Sequence, residues 1–340
     1  MMAEITYREA VIQAMAEEMR RDDTVFLIGE DVGPSGGIFK CSEGLFDEFG
    51  ADRVIDAPIT EAGYIGLSVG AAVTGMRPIA ELMFGDFSLL TMDQIVNQAA
   101  KIRYMTGGQC RVPLTIRLTM GAGRSSAAQH SQSLHALFAH IPGLKVALPS
   151  CPRDAKGLLK TAIRDDNPVL VFEGKLMYND KGTVPEEEYT IPFGVAEIKR
   201  RGDDCTIIAI SSMVGLALEA AETLSLEDDI SVEVVDPRTL VPLDEETLVD
   251  SVRKTGYALI ADEGSLRYGV TGELAALISE TAFDYLDAPV KRIGAAQVPI
   301  PFSPSLEMAA IPNAETIVDA VRALRGKTSA ELNVQRGGRE

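Results

Sequence analysis

Short apolar runs alternate with helix-patterned stretches over about half of this 340-residue chain and, beyond a polar break, alternate again to near its end; no other feature constrains the fold as much. TVFLIGED, RVIDAP, PIAELMF, PLTIRLT, LKVALPS and PVLVFE are rich enough in β-branched and apolar residues to be strands buried on both faces. Between them lie a glycine-punctuated helix from Glu61 to Gly75, a helix through Asp93 to Met105 and a helix over Asp154 to Arg164. Such alternation predicts an α/β domain, a mostly parallel sheet covered on both sides. Thr6 with Glu9 is a capping box, and Tyr7, Val11, Ala14, Met15 and Met19 follow at helical spacing, so a helix opens the domain.

The pattern fails from Gly174 to Pro192, in GKLMYNDKGTVPEEEYTIP, where the linker is expected. CTIIAIS, ISVEVVD, YALIADE and APVKRIG then alternate with helices over Val214 to Leu224, Asp244 to Lys254 and Gly272 to Phe283. The prediction is two doubly wound, mostly parallel-sheet α/β domains, over residues 1–185 and 186–326, with a tail over 327–340 whose low apolar content predicts fraying.

A net charge of −18, from 50 acidic and 32 basic residues, repels phosphate backbones and anionic lipid, which argues against nucleic acid or a membrane as a partner. Cys41, Cys110, Cys151 and Cys205 lie far apart without a CxxC pair, so no zinc site or disulfide framework is readable and reduced thiols are expected. The opening MMAEITYREAVIQAM has no secretory pattern, and no run approaches the roughly 20 apolar residues of a bilayer crossing. A soluble, cytoplasmic protein is the expectation.

All three histidines, His130, His135 and His140, fall between Gly121 and Ser150, which confines imidazole chemistry to one segment. Their spacing of five does not converge on a metal from one helix. His130 stands in a small, polar stretch between a strand and a helix, where open parallel sheets bind ligands, although hydrogen bonding to loop backbone would also account for it. His135 and His140 read as structural. Glu61 opens a helix, and on position alone the commoner role is to complement the helix dipole. Gly63, Gly66 and Gly70 weaken that helix unless something packs closely against it. Neither a P-loop nor a GxGxxG fingerprint is present, and GAGRSS lacks the GxSxG context of a hydrolase.

Taken together, EDVGPSGGIF, DAPITEAGYIGLSVGAA, GDFSLLTMDQIVNQAAKIRYMTGG, AAQHSQSLHALFAHIPGLKVALPS, DAKGLLKTAIRDDNPVLVFE and VEVVDPRTLVPLD resemble the β subunit of thiamine-diphosphate-dependent 2-oxo acid dehydrogenases, from about Ile5 to Leu324. The likeness is greatest to the acetoin dehydrogenase branch, with the pyruvate dehydrogenase branch next. It implies a transketolase-like pyrimidine-binding domain followed by a transketolase C-terminal-like domain. It also implies an α2β2 assembly with an α subunit, and a lipoyl-bearing acyltransferase that takes up the acyl group. Thiamine diphosphate would lie at the α/β interface with its diphosphate and Mg²⁺ on α. The GDG signature and downstream Asn pair of that half-site are missing here, since Gly85-Asp86 continues into Phe87.

By the same resemblance, Glu61 is the carboxyl group that hydrogen-bonds the pyrimidine, Phe87 stacks on that ring and Ile59 and Met83 line it. His130 faces the thiazolium and the incoming lipoyl group. As alternatives, Phe87 is a core aromatic, or the chain is a non-catalytic assembly subunit. Leu114, Ala162, Ile163, Asp165 and Asn167 match a potassium site of some relatives, with an ordinary helix end before Pro168 as the plainer reading. Gly174 departs from the family, which carries a larger residue there, and puts the local packing in question.

Overall fold

A computed structural model describes residues 2–326, so the predicted tail lies outside the described residues. The chain forms two compact units. The first comprises the chain up to Val195 with Arg238–Leu243 and Pro299–Glu307; the second comprises Ala196–Pro237, Asp244–Val298 and the chain from Met308.

In the first unit the apolar runs become a seven-stranded sheet. Its spatial order is Thr239–Val241, Lys145–Ala147, Val169–Gly174, Thr115–Met120, Arg77–Leu82, Val25–Gly29 and Val54–Asp56. Every pairing is parallel except the first. Val25–Gly29, Thr115–Met120 and Val169–Gly174 are buried at every residue, as strands covered on both faces must be. The capping box forms as read: Thr6 and Glu9 brace helix Tyr7–Arg21, whose Tyr7, Val11, Met15 and Met19 enter the core. That helix packs on Pro152–Arg164, which starts on a proline already bent for a first turn. From Val25–Gly29 the chain passes to one neighbouring strand, Val54–Asp56, then crosses to the other, Arg77–Leu82. Carboxyl ends at such a reversal leave a crevice.

The second unit is a five-stranded sheet ordered Lys291–Ala295, Ala258–Ser265, Cys205–Ala209, Val232–Asp236 and Glu197–Arg200, parallel except at the last pairing. Helix Met213–Asp228 packs on Ala314–Leu324, and Arg322 joins them through Asp228 at 2.7 Å. The fold class is the expected one, two mostly parallel α/β units.

Two local features differ from the sequence reading. The segment taken as a linker contains a strand, Lys181–Pro185, paired antiparallel with Met2–Thr6. Both strands are largely half-exposed, so backbone pairing rather than an apolar run defines them. The stretch through Asp93 to Met105 begins as a widened helix over Asp93–Ala99 and tightens to a regular α-helix only over Ala100–Met105.

Candidate active site

Ile59, Glu61, Met83, Phe87 and His130 all fall just beyond the carboxyl ends of Val54–Asp56, Arg77–Leu82 and Thr115–Met120. Glu61 is the first residue of helix Glu61–Val73 and is 8% exposed. Its carboxylate makes no hydrogen bond among the described residues, so it does not brace the free amides of its own helix. Thr60 does not cap the helix either, since its hydroxyl turns back to the Pro58 carbonyl at 3.0 Å.

Glu30, at the end of Val25–Gly29, is equally buried, and its Oε1 has no hydrogen-bond partner among the described residues. Burial first, then the charges of Glu61 and Asp31, hold its carboxyl above the ordinary range, against the pull of the Thr60 amide. Tyr64 is pushed up in the same way, by burial and then by Glu30 and Glu61, while its hydroxyl donates to the Glu81 carbonyl at 3.2 Å. Two buried carboxylates thus stand side by side, and for Glu30 burial and the neighbouring charges favour the protonated form.

Aromatic rings form a second cluster. Phe84 meets Phe87 at 5.6 Å and His130 at 4.7 Å between centroids, and Phe87 meets His130 at 5.3 Å, all edge to face. Gly85 allows the chain to turn here, because a Cβ would come within 2.6 Å of the Thr119 carbonyl oxygen. Asp86 receives both the backbone N–H and the side-chain amide of Gln132, at 3.2 and 2.8 Å. Lys175, 3% exposed, donates to the His130 carbonyl and lies 5.5 Å over the Phe84 ring. The structure thus brings His130 together with Phe87, two residues beyond Gly85, and with the segment that follows Met83, whose own carbonyl accepts the Thr119 hydroxyl at 3.0 Å. Helix Glu61–Val73 packs on this segment, Gly85–Thr91. Ile59, 82% exposed, packs little within this chain.

Of the three helix glycines only Gly63 has a close neighbour among the described residues, Thr60, whose Oγ1 lies 3.2 Å from where a Cβ would stand. A Cβ on Gly66 would make only ordinary contact with Gln94 at 3.5 Å, and one on Gly70 would meet nothing within 4 Å. His135 is buried edge to face with Phe172 at 6.0 Å, while His140 is exposed at the end of the short helix His135–Ala139.

Beneath the crevice, three strands are joined by charge. Arg117, 1% exposed, donates to Glu81 at 2.6 Å and twice to Glu173 at 2.8 Å, and the Tyr178 hydroxyl adds a bond to Glu173 at 2.7 Å. Beside it the Cys41 thiol is pushed up to about 12, chiefly by burial, which makes it inert. At Gly174 the space of a larger side chain is taken by Met177, whose methyl lies 2.8 Å from where a Cβ would stand.

Of the residues matched to a potassium site, Ala162, Ile163, Asp165 and Asn167 are tied together at the end of helix Pro152–Arg164. Leu114 and Ala162 carbonyls accept the amides of Val169 and Asp165, and the carbonyls of Ile163 and Asp165 each accept Arg77 Nη1 at 3.1 Å. Lys145 pairs with the Asp165 carboxylate, and Asn167 Oδ1 accepts Arg103 at 2.9 Å. Internal cations therefore already face this oxygen cluster.

Sequence reasoning passed over Glu30, Phe84 and Lys175. Glu30 and Lys175 directly follow buried strands and Phe84 lies two residues beyond one, a positional signal that applies to any residue at the carboxyl edge of a parallel sheet.

Residues 3–181 match the transketolase pyrimidine-binding domain and residues 194–317 the transketolase C-terminal domain. Fold and crevice are thus those of a transketolase-type enzyme. Among solved structures, a split-gene transketolase in an inactive β4 tetramer superposes with a TM-score of 0.75 at 27% identity, covering 95% of this chain and 99% of that one. The acetoin:2,6-dichlorophenolindophenol oxidoreductase β subunit of Bacillus subtilis is 50% identical, over 95% of this chain and 98% of its own length. The pyruvate dehydrogenase E1 component β subunit of Rickettsia felis is 47% identical, over 94% and 98%, and the 2-oxoisovalerate dehydrogenase β subunit of B. subtilis 45%, over 95% and 99%. The chain belongs to the β subunits of thiamine-diphosphate-dependent 2-oxo acid dehydrogenases.

Proposed function

We propose that this chain supplies the pyrimidine half of a thiamine diphosphate site shared with an α subunit, in an α2β2 enzyme that cleaves acetoin and passes the acetyl unit to the lipoyl group of an acyltransferase partner. The observation that carries this is Glu61, a buried carboxylate with no hydrogen-bond partner among the described residues, beside a second one at a sheet crevice. Such a group suits a polar ring delivered from outside, whose nitrogen would give the buried carboxyl the hydrogen-bond partner it lacks among the described residues. The similarity to a split-gene transketolase whose β4 tetramer is inactive accords with a chain that needs a second subunit.

Thiamine diphosphate, when bound, supplies an acidic carbon that adds to the substrate carbonyl and accepts the resulting charge. Glu61 holds and releases the proton at the pyrimidine end. Phe87 and Phe84 give that end an apolar aromatic wall that excludes water. His130, its carbonyl held by Lys175 and its ring against both phenylalanines, donates a proton to a dithiolane sulfur during acyl transfer. Acetoin as substrate rests on the 50% identity with the acetoin oxidoreductase subunit; the pyruvate dehydrogenase relative at 47% makes pyruvate the competing substrate.

The test is reconstitution with the α subunit and assay of both substrates with 2,6-dichlorophenolindophenol. Higher kcat/KM for acetoin is expected, and a preference for pyruvate would reassign the substrate. Glu61→Gln should lower turnover at least about 100-fold with the tetramer intact. Unchanged turnover would favour a purely assembling role.

A further inference from the structure

His130 is presented by a loop with an improbable backbone. Gly121, Gly123, Ser125 and Ala127 all have positive φ, at 99°, 96°, 53° and 60°. For the serine and the alanine this left-handed region brings Cβ against the chain, so the loop needs an external hold to keep that shape.

Left-handed residues alternating with others turn successive amides toward one point, forming a concavity for an anion. Here the anion is part of the chain. Glu307, 184 residues from Gly123, places Oε1 at 2.7 Å from the Gly123 nitrogen and Oε2 at 2.8 Å from the Ser125 nitrogen. The side chain is 1% exposed, so these charge-assisted bonds are shielded from water. It comes from Pro299–Glu307, the segment with which the chain returns to the first unit.

The far end of the loop is fastened separately. Lys175 holds the His130 carbonyl, Asp86 holds Gln132, and the His130 amide donates to Ala127 at 3.3 Å. The position of the imidazole relative to Phe84 and Phe87 thus depends on the course of the turn from Gly123 to Ala127, where Glu307 grips the amides of Gly123 and Ser125 and Arg124 lies over the Phe39 ring.

We propose that Glu307 is a positioning residue of the active site, whose carboxylate, seated on the amides of Gly123 and Ser125, holds the turn from which His130 is presented. The catalytic part of this inference rests on the reading of His130 given above; the structural part does not.

Glu307→Gln tests it in the reconstituted α2β2 enzyme. The substitution keeps the shape of the side chain but sets an NH₂ group against one of the two loop amides, replacing an acceptor by a clashing donor. Hydrogen exchange over residues 121–130 should quicken at least about tenfold. Acyl transfer to the lipoyl domain should fall at least about tenfold, well beyond any loss of dichlorophenolindophenol turnover, with KM for acetoin unchanged. A residue that merely fills space would tolerate glutamine and would not separate the two assays. Exchange at the wild-type rate overturns the clamp. Faster exchange with undiminished lipoyl transfer overturns the positioning role.

If Glu307→Gln fails to assemble, the wild-type enzyme decides: the Gly123 and Ser125 amides must be protected, and their exchange at the open-chain rate refutes the proposal. His130→Ala separates the two claims, because full lipoyl transfer in that variant removes the role of His130 while leaving the exchange measurement to judge Glu307.

Discussion

Replacing Arg117 by methionine should cost the first unit much of its stability. The guanidinium makes three hydrogen bonds of 2.6 to 2.8 Å to Glu81 and Glu173, which are 7% and 1% exposed. Methionine fills a similar volume but leaves both carboxylates in the core without a cation. Breaking a buried pair from one side costs about 3–5 kcal/mol. At roughly 2–4 °C per kcal/mol for a unit of this size, the melting transition should fall by about 10 °C. Glu81 is already held above the ordinary carboxyl range, chiefly by burial, and the loss of Arg117 removes the main charge opposing this. A raised carboxyl pKa gives stability that is present at low pH and is lost as pH rises through the folded value. The deficit of the variant should therefore be larger near pH 8 than near pH 5. Circular dichroism melts of Arg117→Met and of the triple variant with Glu81→Gln and Glu173→Gln test the reasoning. The triple variant should recover most of the loss. A fall of less than about 3 °C at pH 7, or a triple variant no better than the single, would refute it.

Glu30→Gln should melt above the wild-type protein near neutral pH, because a carboxyl held above its ordinary range contributes stability that fades as pH rises through its folded pKa; the difference should close near pH 4, and a constant difference would contradict the shift. The potassium cluster predicts a higher melting temperature in KCl than in NaCl at equal ionic strength, since each carbonyl of Leu114, Ala162, Ile163 and Asp165 keeps a second lone pair. Identical transitions would show that Arg77 and Lys145 serve that cluster alone.

Much of this was legible one residue at a time. Each of the first domain's six apolar runs became a strand of the large sheet, and the Thr6–Glu9 box opened its helix, because burial and capping are set by neighbours a few positions away. Glu61 could be placed at a helix start following a strand for the same reason. The pairing of Met2–Thr6 with Lys181–Pro185 carried no such mark, since half-exposed strands show little patterning and their partners are remote. Arg117, inside a run read as an apolar strand, gave no hint of its two carboxylates, which lie 36 and 56 residues away.

By itself, then, the order of residues determined the alternation of strands and helices, and through it the α/β class and the edge of the sheet where chemistry gathers; these follow from local periodicity and from the need to bury apolar faces. Only the tertiary structure decided that Glu30 lies beside Glu61, that Phe84 and Lys175 enclose His130, and that Glu307 grips the loop before it. Those contacts join segments distant in the chain, and whether a buried charge has a partner depends on which strands the sheet sets side by side.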